Sequence, residues 1–163
     1  MHLDPDFSEL TYGDCRPRSI PVRNLQKGDF IVFYAGLRSI SQEHNLIYAL
    51  IGFYSVDEVL QAGSIPKERW NQNAHTRRKD SANDTVVRAI PGPSGRLLKC
   101  IPIGEYRRRA YRVLPGVLSA WGGISVKDGY LQRSGRLPSF IEPAVFLDWF
   151  SKQDVTLIKE NNP

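Results

Sequence analysis

Two dense apolar runs dominate the first third of the chain. Phe30-Ile31-Val32-Phe33-Tyr34 follows the turn signal Lys27-Gly28-Asp29, and a second run extends from Leu46 to Val56, with the polar stretch Ser41 to Asn45 between them. β-Branched and aromatic residues at this density predict strands, and the pair predicts a long hairpin. Neither run alternates apolar with polar positions, so both strands are expected to be buried on both faces or to close into a barrel. Asp84 to Ile90 and Arg96 to Ile103 predict a third and a fourth strand, joined by the turn Pro91-Gly92-Pro93-Ser94-Gly95. Val56 to Leu60 and Pro66 to Trp70 predict short helical turns, the second with proline where a first turn tolerates it. Asn71 to Asn83 is polar and charged and predicts a loop.

Farther on, the period changes. Pro115 to Gly123 and Pro143 to Lys152 carry helical spacing, punctuated by Pro138 and Pro143. Val145, Phe146, Trp149 and Phe150 form one apolar stripe, expected to be core packing rather than a binding groove. With no internal repeat or low-complexity segment, the pattern predicts an α+β fold. Its expected form is a small, curved, mostly antiparallel β-barrel with helices closing its ends. A chain of 163 residues suits one domain with a full core.

Composition adds a partner class. Twenty-two Lys and Arg against seventeen Asp and Glu leave a net charge of +5, which favours an anionic partner such as nucleic acid. The cations cluster at Arg77-Arg78-Lys79 and at Arg107-Arg108-Arg109 with Arg112, whereas the acids are scattered. Cys15 and Cys100 stand far apart without metal-ligand spacing, so they read as reduced thiols. No leader pattern and no run of about 20 apolar residues is present, so a soluble, cytoplasmic protein that does not span a membrane is expected.

Several chemistries are unsupported. Gly122-Gly123 and Pro91 to Gly95 lack the spacing of a Walker or dinucleotide loop. The histidines are His2, His44 and His75, with no HExxH motif and no HxE followed by PCxxC. No GxSxG elbow positions a nucleophile. No cofactor or metal is expected, and no catalytic signature is visible.

The remaining unusual stretches are polar, aromatic and placed near strand ends. His2 to Phe7 and Leu10 to Asp14 gather two aromatics, several carboxylates and a histidine, where Tyr12 offers a stacking face and Asp14 a polar edge. Asn73 and His75 supply paired donors and acceptors suited to a base edge, with Arg77 and Arg78 suited to phosphate. Gln132, Arg133 and Ser134 beside Tyr130 repeat the pattern. Solvated loops and turn caps explain each stretch equally well alone; together, on a basic domain, they point to nucleic acid. Trp70 and Trp121 suit either a core or an aromatic cage.

Lys27 to Tyr34 with Leu50 to Val56 resembles the central hairpin of the PUA-like superfamily, in which EVE and ASCH domains carry a "GD-apolar-Y … IG-apolar-V" pattern. A wider resemblance is to the third type of nucleotide modification associated domain. It rests on "HLDPDF" (His2 to Phe7), "TYGD" (Thr11 to Asp14), Gly28 to Ala35, "NAH" (Asn73 to His75), Ser94 to Lys99, where Gly95 interrupts the family's SRLLK-like element, and "QRS" (Gln132 to Ser134). The resemblance implies a segment N-terminal to HLDPDF that this chain does not contain. It also implies a module that accepts a flipped, modified base in an aromatic mouth, at a cost offset by stacking and edge hydrogen bonds. Under that reading Phe33 packs or stacks, Tyr34 sits at the barrel mouth and Gly36 lets the ligand approach.

The expected function is therefore a non-enzymatic reader of modified bases in DNA, working in restriction or defence systems beside an effector nuclease or a modification enzyme. Tyr12, Asp14, Phe33, Tyr34, Asn73, His75 and Gln132 would surround the base; Arg77, Arg78, Arg96, Arg107, Arg108 and Arg133 would meet phosphate. Three alternatives stand beside it. One is an enzyme acting on a nucleotide base with His75 or His2 as general base beside Asp4 or Asp14. The others are an RNA reader of the PUA kind and a protein-interaction domain.

Overall fold

The apolar runs do form strands, and they run on past their apolar centres. The computed structural model describes residues 3–15, 19–38, 46–78, 80–131 and 137–162. In chain order the elements are β1 (Thr11–Asp14), α1 (Ser19–Arg23), β2 (Phe30–Leu37), β3 (Ile47–Gln61), β4 (Thr85–Ala89), β5 (Gly95–Arg107), β6 (Ala110–Val113), α2 (Pro115–Ala120), α3 (Pro143–Ser151) and β7 (Leu157–Ile158). Short 3-10 turns cover Ala62–Ser64, Lys67–Gln72 and Lys127–Gly129. No helix of the described residues is long and apolar enough to cross a membrane.

The fold is α+β, and its sheet is open. Among the described residues, seven strands pair in the order β1-β4-β3-β5-β6, with β2 on β3 and β7 on β5. The β1–β4, β3–β4, β5–β6 and β5–β7 pairs are antiparallel. The closed barrel expected from sequence is corrected here, since among the described residues the pairing order is open, ending at β1 and at β6. Closure needs the two end strands to pair along their length, and β1 and β6 have four residues each. Short end strands blunt a sheet edge; they do not join it into a cylinder.

A second correction concerns Val56 to Leu60. The segment continues β3, with Val56 opposite Ala89, Val59 opposite Val87 and Leu60 opposite Val86. A register shift between Val56 and Glu58 breaks the alternation, so the run mimics a helical turn in sequence while its β-branched residues pair across to β4. The turn after Pro66 is a 3-10 helix as expected, and α2 stops at Ala120, three residues short of expectation, where Gly122 and Gly123 take positive φ of 71° and 91°. The fourth strand also outruns its prediction, passing Pro102 to Arg107.

The chain forms two compact units: Met1–Phe33, Gly52–Leu97 and Leu157–Pro163 make one, Tyr34–Ile51 and Leu98–Thr156 the other. In the first, Phe7, Phe33 and Tyr54 pack edge-on at ring separations of 4.8 to 5.8 Å. Gly52 is required there, because a Cβ on it would enter the Phe7 ring. Val22, Val56 and Val87 form a neighbouring cluster. In the second unit, Trp121 meets Phe140, Phe146 and Trp149 edge-on, each at 5.5 Å. Trp121 is therefore core. Trp70 is exposed, and its indole N–H donates to the Ile65 carbonyl at 2.8 Å.

The α3 stripe is core at Phe146, which is fully buried, while Val145 is exposed. Phe146→Ala is expected to lose about 3–5 kcal/mol of stability and Val145→Ala no more than about 0.5 kcal/mol, as read by urea unfolding. Equal losses would place the stripe differently.

Candidate functional site

The site is built from the N-terminal segment, β1 and the loop before β4, all in the first unit. Asp6 caps the turn that leads into β1, its Oδ1 accepting the N–H groups of Ser8 and Glu9 at 3.1 Å each. Backbone hydrogen bonds link Asp6 and Thr11 across that turn. Asn161 ties it down from the C-terminal end, accepting from the Phe7 N–H at 2.7 Å and donating to Asp6 at 2.8 Å. This holds Asp4 beside β1, where its Oδ1 accepts the Gly13 N–H at 2.9 Å.

The loop expected at Asn71 to Asn83 starts only at Asn73, because the 3-10 turn runs to Gln72, and it is buried from Asn73 to Thr76. Asn73 uses both ends of its amide: Oδ1 accepts the His75 N–H at 2.8 Å, and Nδ2 donates to Thr11 Oγ1 at 3.0 Å. Thr11 Oγ1 in turn donates to the Gln72 carbonyl at 2.6 Å. Thr76 Oγ1 lies 2.7 Å from the Asn73 carbonyl, and the Ser81 hydroxyl reaches the carbonyls of His75 and Arg78. Side chains thus replace the secondary structure the loop lacks.

At the centre, the His75 ring lies between two carboxylates. Nδ1 is 2.6 Å from Asp84 Oδ2 and Nε2 is 3.0 Å from Asp4 Oδ2, with the His75 side chain only 5% exposed. Gly13 makes room, because any Cβ there would collide with the imidazole. A neutral imidazole has one N–H, but this site presents two acceptors. Asp4 above all, then Asp84, hold the His75 pKa above its ordinary value, and burial opposes them. Both ring nitrogens of this clamp thus face carboxylates, and neither is open toward a substrate.

The expected base-binding residues separate across β1. Thr11 and Gly13 face Asn73 and His75. Tyr12 and Asp14 project to the other side, where the Tyr12 hydroxyl donates to Asp14 Oδ2 at 2.8 Å. Tyr12 also packs edge-on to Phe33 at 5.4 Å, and Phe33 is buried. Tyr34, the next residue, belongs to the second unit and packs on Tyr48 at 5.7 Å; burial and that neighbour raise its hydroxyl pKa. His2, Gln132 and Arg133 lie outside the described residues. Asp84 is the clamp member that sequence reasoning missed, hidden as the first residue of a predicted strand.

The arginines differ in availability. Arg77 and Arg78 are exposed two and three residues after His75, with Arg77 donating to the Asn71 carbonyl at 2.6 Å. Arg96 donates to the Glu160 carbonyl at 2.9 Å. In the second unit, Arg107 pairs with Glu105 at 3.0 Å and Arg108 lies 3.6 Å from Asp128. Among the described residues, no group of three or more His, Cys, Asp or Glu is arranged to hold a metal ion.

The family model for nucleotide modification associated domain 3 matches residues 1–139. The chain belongs to this family. The match takes in the whole clamp and the arginines just named, and ends before α3 and β7. No curated protein and no solved structure matches the chain.

The clamp carries a pH signature. Because the folded pKa of His75 is raised, its contribution to stability is complete below the unfolded value of about 6.5 and is lost as pH rises through the folded value. Wild-type stability is expected to fall over that window, and in His75→Gln that fall is expected to disappear. The same variant leaves Asp4 and Asp84 facing one another and is expected to lose about 3–5 kcal/mol at pH 6. Urea unfolding at pH 6 and pH 9 reads both effects; an unchanged pH slope in the variant would remove His75 as its cause.

Proposed function

We propose that this domain is a non-enzymatic module that recognises a modified base in DNA and works within nucleotide modification or restriction systems. Family membership supplies the link to nucleotide modification. The observation that supports binding over catalysis is the clamp. Both ring nitrogens of His75 are committed to carboxylates, and general-base work would require release of one of them.

The clamp also prepares a surface. Arg77 and Arg78 extend from a backbone fixed at Asn73, His75 and Ser81, so little ordering remains to be done when phosphate arrives. On the other face of β1, the Tyr12 hydroxyl is paired with the buried Asp14 carboxylate, beside the Phe33 ring. In this reading Tyr12 and Asp14 read the base, with Phe33 behind them. Asn73 and His75 shape the wall, and Arg77, Arg78 and Arg96 meet the backbone. Extrusion of a base costs a few kcal/mol, and stacking at about 1–3 kcal/mol per base with edge hydrogen bonds offsets it.

The test is a titration at fixed moderate salt against matched duplexes carrying cytosine, 5-methylcytosine, 5-hydroxymethylcytosine or glucosylated hydroxymethylcytosine, with a single-stranded RNA control. Preference of about tenfold or more, about 1.4 kcal/mol, for one modified duplex is expected. Equal affinity for all four duplexes would overturn the reading. Arg78→Ala is expected to weaken every duplex alike and to reduce the log–log salt slope by about 1.

A further inference from the structure

The β5–β6 hairpin turns on two arginines. Glu105 pairs with Arg112, Tyr106 with Tyr111 and Arg107 with Ala110, so Arg108 and Arg109 alone make the turn. Both are left-handed, with φ of 53° and 61°. A two-residue turn of that hand favours Asn-Gly, because side-chain carbons crowd the backbone there. Arginine at both places is conformationally costly, and what it adds is charge at an exposed tip.

The hairpin has two unlike faces. Arg107 and Arg112 share a side with Glu105, and their groups are engaged within the chain. Arg107 contacts Glu105 and the Val113 carbonyl; Arg112 contacts the carbonyls of Arg107 and Lys127 and stacks 5.6 Å from the Tyr130 ring centre. The other side carries Tyr106 and Tyr111. Tyr106 is 62% exposed, stands edge-on to Tyr111 at 5.2 Å, and Tyr111 rests on buried Tyr48 at 4.5 Å. An exposed aromatic ring is thus held on a rigid base. At the tip, the Arg108 side chain is 71% exposed despite Asp128, and Arg109 is exposed and joins no ion pair among the described residues.

We propose that this hairpin is a separate contact for unpaired DNA, in which Tyr106 stacks on a base and Arg109, assisted by Arg108, meets the adjoining phosphates. The inference rests on the nucleic-acid part of the proposed function and is independent of base selectivity. An exposed ring on a hairpin tipped by exposed guanidinium groups fits a polyanion that presents aromatic faces, which a single strand does and a closed duplex does not. Every base has such a face, so the contact tolerates any sequence and any modification. Arg107, which sequence pattern singles out for phosphate, pairs with Glu105 of its own strand and donates to the Val113 carbonyl of β6.

Fluorescein-labelled oligo(dT) of twelve nucleotides, and a duplex of the same length, are the probes. The full chain is expected to bind oligo(dT); Tyr106→Ala is expected to weaken that binding by about 5- to 150-fold, the range of one lost stack, and Tyr106→Phe to retain it. Arg109→Gly is expected to weaken binding with a salt slope smaller by about 0.7, and to raise the melting temperature by about 2–4 °C as the turn relaxes. Loss of affinity in a protein made more stable excludes misfolding as the cause. Wild-type affinity for oligo(dT) in Tyr106→Ala, or no binding by the wild type, overturns the inference. The ratio of modified to unmodified duplex affinity is expected to survive Tyr106→Ala. A wild type that shows no such ratio, but loses oligo(dT) in Tyr106→Ala, refutes the modified-base reading and leaves the hairpin contact standing.

Discussion

The ion cluster of Asp4, His75 and Asp84 is the constraint on which the first unit's polar architecture depends. It joins an N-terminal segment, a loop and the approach to β4, and no apolar packing could do this, because the loop between them is built of Asn, Thr, Ser and Arg. Two carboxylates share one buried imidazole, so further donors are required. The Gly13 N–H on Asp4 supplies one. Buried ion pairs of this kind add little stability over an apolar replacement, yet removing one partner is costly. Here they fix the register of the loop, with each ring nitrogen of His75 on a different carboxylate.

From that register the rest of the loop follows. Once the His75 ring sits on Gly13, Asn73 is brought to Thr11, and Thr11 to the end of the 3-10 turn at Gln72. The second unit solves its problem by other means. There Trp121, just past α2, packs with Phe146 of α3 and with Phe140 in an aromatic cluster, which needs surface area but no particular protonation state. Rising pH should therefore loosen the loop of the first unit without touching the aromatic packing of the second.

How far the sequence could be read follows the range of the interaction involved. Strands at Phe30 and Leu46 were legible because β-branched and aromatic density is local. Val56 to Leu60 was not, since a bulge mimics a helical turn and only β4 settles the matter. The barrel failed for a related reason: closure is a property of strands far apart in sequence. Asn73 and His75 were legible as special, being polar groups in a patterned loop. Their role was not, because it depends on Asp84, which nothing local distinguishes from a strand-initiating residue. The split of Tyr12 and Asp14 from Gly13 follows from alternation along β1, a four-residue strand too short to stand out in the sequence. Arg109 was legible only as one of a cluster, and Tyr106 not at all, because hairpin register decides which arginines form the turn.

The arginines show why charge counting from sequence misleads. A guanidinium beside a carboxylate has spent much of its field: Glu58 lies 2.8 Å from Arg69 and 3.2 Å from Arg88, and Glu105 lies 3.0 Å from Arg107. A guanidinium anchored on carbonyl or hydroxyl oxygen is oriented but keeps its full charge. Arg23 is held by Thr85 Oγ1 and the Asn83 carbonyl, and Arg96 by the Glu160 carbonyl. Such groups are better suited to phosphate than paired ones, because they are already positioned and no internal ion pair must break. On that criterion Arg23, which belongs to no arginine cluster, ranks above Arg107, which lies at the centre of one. The density of a basic run reports how much charge was placed, and the partner of each guanidinium reports how much of it a phosphate can still use.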